Sequence, residues 1–244
     1  MNARGLTMTT LVDAAKAHLE ADDCQAAITL LDAHDHPDEA MRAYHELVQH
    51  AYWQRKDLRA VITLGQAGLA RMQAQGERSA GRDEAATRAA REARSALSYN
   101  LASFCWPGWN EPGITIGEAE LRAGYEAAQQ HLALARELGL GDLHMARATW
   151  IAGALHLGTG QLDEARARFA ESAQWAAKAN NPSERLLACG YELLCSERDQ
   201  LAGTAVDPWQ EVTRQLAALP GGAELVTQLE TAAVVFGRGH GMRS

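Results

Sequence analysis

A basic excess, paired cysteines and long apolar runs are all missing from this chain of 244 residues. Lysine and arginine total 23 against 31 aspartate and glutamate, a formal net charge of -8. Nucleic-acid binding draws its affinity from a basic face that displaces counterions. The local cluster Arg88, Arg91 and Arg94 is interrupted by Glu92, so no nucleic-acid partner is expected. The cysteines, Cys24, Cys105, Cys189 and Cys195, never fall in the C-x-x-C spacing of a zinc or redox site. No secretory signal and no apolar run of ~18 residues is present. The expectation is a cytoplasmic protein with reduced thiols and no membrane contact. Catalytic signatures are equally absent. There is no G-x-S-x-G elbow, no G-x-x-x-x-G-K-[ST] phosphate loop and no G-x-G-x-x-G after a strand. Neither enzymatic activity nor a cofactor is expected.

What remains is a helix-forming composition. Hydrophobic residues reach 47% but aromatics only 6%, and alanine and leucine dominate the apolar fraction. Those two residues lose little side-chain entropy in a helix, whereas the β-branched residues that favour strands are sparse. Apolar positions recur at helical spacing through about eleven segments. They run roughly over 7–20, 23–34, 37–54, 58–75, 83–106, 116–138, 142–158, 162–179, 182–200, 208–218 and 222–236. Start signals are explicit at Asn181-Pro182-Ser183-Glu184, at Asp207-Pro208-Trp209-Gln210 and at Thr115-Ile116-Gly117-Glu118, where a cap precedes the first turn. A break is expected around Gly76 to Gly81, a frayed start over Met1 to Gly5, and a loose tail over 237–244. The remaining 1–236 read as one domain.

The sharpest pattern lies in 145–179. One helix carries Trp150, Gly153 and Leu157, a turn follows at Gly158-Thr159-Gly160-Gln161, and a second helix carries Ala165 and Phe169. This resembles a tetratricopeptide repeat, a unit of about 34 residues with small side chains at its helix crossing and an A-x-x-x-F step on its second helix. Fainter copies of the grammar run from Asp22-Asp23 through Ala26, and from Asp57-Leu58 through Val61, Gly65 and Gly68, with Ala26 and Val61 separated by 35 residues. Thr149, Ala152 and His156 stand where the family has tryptophan, leucine and tyrosine, and the closing proline is absent. The resemblance implies an all-α, right-handed solenoid of antiparallel helix pairs, an α-α superhelix.

It also implies that the first helix of each pair lines a concave groove. That register puts Glu46, His50 and Trp53 on one such face, Tyr99, Ser103 and Trp106 on the next, and Arg147, Trp150 and Leu157 on a third. The i, i+3/i+4, i+7 spacing keeps each set together. An aromatic trough of this kind suits a peptide or protein segment; the competing reading makes the tryptophans inter-repeat core. The loop 107–114, with two prolines, two glycines and Trp109, either folds onto its own helices or forms a lip over the groove.

Nine histidines raise the question of metal. His45 and His50 superficially match H-E-x-x-H but stand five apart, about 140° around a helix, so they cannot share an ion. His34-Asp35-His36 reads as a solvated turn, and His131, His144 and His156 fall on separate helices. No metal is expected. The function expected is therefore an adaptor or regulatory scaffold that binds a protein or peptide. The alternatives are a small-molecule sensor or enzyme with a pocket beside the 107–114 loop, and a structural repeat forming a homodimer through the apolar helix 223–236.

Overall fold

The computed structural model describes residues 6–196 and 207–237. The expectations for the first five residues, for the end of the 182–200 segment and for the tail from 238 onward lie outside the described residues. Among the described residues there are eleven α-helices, one 3-10 turn and no strand. The helices are α1 (Met8–Glu20), α2 (Cys24–Asp32), α3 (Pro37–Trp53), α4 (Leu58–Ser79), α5 (Glu84–Phe104) and α6 (Glu118–Glu137). They continue with α7 (Asp142–Gly158), α8 (Leu162–Lys178), α9 (Pro182–Leu194), α10 (Pro208–Ala217) and α11 (Gly222–Val235). The 3-10 turn is Pro107–Trp109. Two compact units divide these elements, Met1–Cys105 with α1 to α5 and Trp106–Ser244 with the remainder.

Side-chain caps explain most starts. Asp23, Asp57, Asp83 and Asn181 accept hydrogen bonds of 2.8, 2.9, 2.9 and 3.0 Å from the backbone N–H three residues on. Each satisfies an amide that the helix itself leaves unpaired. The start of α6 is shifted from the expected Thr115 box. Gly117 is the cap, and Glu120 Oε2 accepts from its N–H at 3.0 Å. The expected break at Gly76 is also corrected, because α4 runs on to Ser79. Gly76 is buried there, where a Cβ would meet Ala90 of α5 at 3.8 Å. Packing against α5 outweighs glycine's roughly 1 kcal/mol helix penalty. The fifth helix stops at Phe104 because Pro107 forces Trp106 into extended backbone, φ -91° and ψ 121°.

Short connections fold consecutive helices back on one another, and alternate helices also meet. In the first unit α1 touches α3, α2 touches α4 and α3 touches α5. Polar bridges mark the same pairs. His50 of α3 donates to Glu20 of α1 at 3.0 Å. Arg71 of α4 donates to the Asp32 carbonyl at 2.7 Å and the His34 carbonyl at 3.0 Å beyond α2. In the second unit Arg136 of α6 reaches Glu171 of α8 at 3.1 Å, and Arg147 of α7 reaches Glu184 of α9 at 2.9 Å. Glycines stand where helices cross. A Cβ on Gly68 would meet Leu97 at 2.7 Å, and one on Gly190 would meet Leu229 at 2.6 Å, distances that only the absence of a side chain permits.

Candidate functional site

In the first unit the face of α3 carries Glu46, His50 and Trp53. Glu46 is exposed, His50 is half-buried against Glu20, and Trp53 is 51% exposed. Tyr99 and Ser103 on α5 are half-buried. Trp53 is exposed yet held. Its ring stands edge-on to Tyr52 at 4.7 Å and to Phe104 at 5.9 Å, while Tyr52 and Phe104 stack at 4.0 Å beneath. Lys56 Nζ lies 5.3 Å from the Trp53 ring centroid, within cation–π reach. Aromatic side chains fixed this way lose little rotamer freedom when another surface covers them.

Three residues before Trp53 on α3, His50 leads to a group of carboxylates. Glu20 accepts from His50 and from Arg55 (3.3 Å), and Arg55 also pairs with Asp22 and stands 3.8 Å from Asp57. The His50 hydrogen bond and the Arg55 guanidinium hold the Glu20 carboxyl below its ordinary value, outweighing desolvation. His45, one helical face away, points to α5. Its Nε2 lies 3.1 Å from the Ala93 carbonyl and its Nδ1 3.4 Å from Asn100 Nδ2. The two histidines of the superficial H-E-x-x-H thus bind different helices.

In the second unit the aromatic residues are interior. Trp106 is fully buried and Trp150 is 6% exposed; Leu157 is buried as well. Trp106 meets Trp109 at 4.8 Å, Trp150 at 5.4 Å, Tyr191 at 5.6 Å and Phe236 at 6.4 Å, mostly edge to face. The expectation that Trp106, Trp150 and Leu157 face an open groove therefore gives way to packing: large rings from four elements bury one another. Trp109 is half-buried on the same cluster, and Gly108 passes so close to Trp106 that no Cβ would fit. The loop folds onto its own helices here. Arg147 is exposed and engaged with Glu184.

Tyr52, Phe104 and Tyr191 escaped sequence reasoning, because their partners lie on other helices and spacing within one helix cannot reveal them. His34 also differs from the solvated turn expected: it is buried, with Nε2 3.0 Å from Glu39 Oε2. Among the described residues no group of three or more histidine, cysteine, aspartate or glutamate side chains is placed to hold a metal ion. No described helix is long and apolar enough to cross a membrane. Beyond the cluster, a cleft of about 580 Å³ opens between α10 and α11, bordered by Asn110, Asp207, Trp209, Thr213, Glu230 and Thr231 among others. No family model matches the chain, and no curated protein matches it.

Proposed function

We propose that this chain is a tetratricopeptide-like helical-repeat module that binds a peptide or protein segment, acting as an adaptor or regulatory scaffold. The repeat reading draws on the bridges between alternate helices: α1 to α3, α2 to α4, α3 to α5, α6 to α8 and α7 to α9. A stack of antiparallel pairs needs such contacts, since each helix then neighbours the next member of its own layer. The binding face is the surface of α3 and α5 that carries Glu46, His50, Trp53, Tyr99 and Ser103.

One observation carries the reading: Trp53 is half exposed on a bed of fixed aromatic rings. A tryptophan presented in that manner is the residue type that most often dominates binding energy. Trp106 and Trp150 serve as core and hold the second unit together. The test is affinity capture from a native lysate with wild type and Trp53→Ala. A partner retained by the first and lost by the second supports the reading; identical captured sets refute it.

The small-molecule alternative keeps one favourable observation, the cleft of about 580 Å³ whose rim includes Asn110 of the 107–114 loop. Its volume is in the range of ligand pockets. Heat of binding on calorimetric titration with metabolite mixtures, absent in Thr231→Trp, would favour it.

A further inference from the structure

We infer that the segment docking on the Trp53 face is basic: a peptide or helix carrying lysine or arginine beside one large apolar side chain. The inference rests on the binding-module reading and specifies its partner.

Three carboxylates converge on the single guanidinium of Arg55, those of Glu20, Asp22 and Asp57. The cation is sunk, its side chain 16% exposed, whereas Glu20 is 60% and Asp22 85% exposed. One positive charge cannot neutralise three negative ones. The exposed members of this cluster are therefore carboxylates, and its cation is the recessed one. Glu46 adds an exposed carboxylate one helical turn before His50 on the face that carries Trp53. Lys56 Nζ lies over the Tyr52 and Trp53 rings at 5.7 and 5.3 Å.

An incoming surface must cover Trp53 and meet this rim. An acidic segment would bring like charges together as water is excluded, at a cost that rises as the local dielectric falls. A basic segment finds the exposed carboxylates of Glu20, Asp22 and Glu46 as partners and gains on-rate from opposite charge. Its apolar side chain would seat against the Trp53 ring, and the rim charges would set its orientation.

The experiment is fluorescence anisotropy with labelled synthetic amphipathic peptides of about 15 residues, identical in their leucine and tryptophan positions but carrying lysine, glutamine or glutamate elsewhere. They are titrated with wild type, Trp53→Ala, Glu46→Lys and Asp22→Asn. The last is conservative, because Asp22 has φ 57° and asparagine tolerates that region. The lysine peptide is expected to bind about tenfold more weakly to Trp53→Ala, a change of 1.4 kcal/mol. It should also weaken severalfold with each charge variant and as salt rises beyond about 0.15 M. If the glutamine or glutamate peptide binds as tightly and still depends on Trp53, the basic-partner inference is overturned and the binding module stands. If the lysine peptide binds Trp53→Ala and wild type equally, the inference is overturned as well, and lysate capture then decides the module reading separately.

Discussion

Phe169 on α8 packs so closely on Gly153 of α7 that a Cβ at position 153 would stand 3.0 Å from two of its ring carbons, Cδ1 and Cε1. Arg168 Cβ would lie 3.1 Å away, and Phe169 is fully buried. Ala165, one turn earlier, is fully buried. Gly153→Val and Ala165→Leu should each lower stability by ~1–3 kcal/mol through overpacking. Glu164→Ala, on the exposed side of the same helix, should stay within about 0.5 kcal/mol. Urea denaturation of the three variants checks the ranking, and an unchanged midpoint for either core variant would refute the crossing.

The tryptophans should separate into two classes. Trp106→Ala removes the centre of a buried aromatic cluster and should cost ~3–5 kcal/mol. Trp53→Ala forfeits two edge-to-face contacts from an exposed position, about 1–2 kcal/mol in all. Chemical denaturation measures both, and equal losses would erase the distinction between core and surface rings.

His45 should make stability fall on mild acidification. Burial lowers its pKa below the ordinary value of 6.5, and its Nδ1 faces the Asn100 amide while Nε2 serves the Ala93 carbonyl. Between the folded and unfolded values the unfolded chain binds the extra proton. The contribution is therefore complete above about pH 6.5 and lost as pH falls through the lowered folded value. A neutral His45→Gln variant should flatten the stability profile between about pH 7 and pH 5, measured by urea midpoints. An unaltered slope would mean that His45 does not titrate in that range.

Arg71 ties α4 to the end of α2. It donates to the carbonyls of Asp32 and His34, and Tyr44 donates to the Asp32 carboxylate at 2.9 Å. Arg71→Met keeps the aliphatic stem but strands those acceptors, and should cost ~1–3 kcal/mol. Amide exchange of α2 should quicken in parallel, and protection equal to wild type would contradict the tie.

Local chemistry was the legible part of this fold. Asp23, Asp57 and Asn181 announce helix starts because a cap acts within three residues. Gly153 and Phe169 announce a crossing because small residues permit close approach. Tertiary partners were not legible. Trp150 sits on a helix whose residues from Met145 to Leu157 are buried with the single exception of Arg147. That all-round apolar character is itself the mark of a central helix rather than one facing a groove. The register taken from the tetratricopeptide resemblance pointed the other way and obscured it. His34 and Gly76 were misread for a similar reason: Arg71 of α4 holds the His34 carbonyl and Ala90 of α5 packs on Gly76.

The most direct test of the binding face is site-specific photo-crosslinking in the native cell, with a benzophenone amino acid placed singly at Glu46, Gln49, Glu164 or Arg214. All four positions are exposed, so each reports its surroundings without disturbing the core. The account predicts a discrete adduct of one partner at positions 46 and 49 and none at 164 or 214. Adducts confined to 164 or 214, or an equal smear at all four, would contradict it.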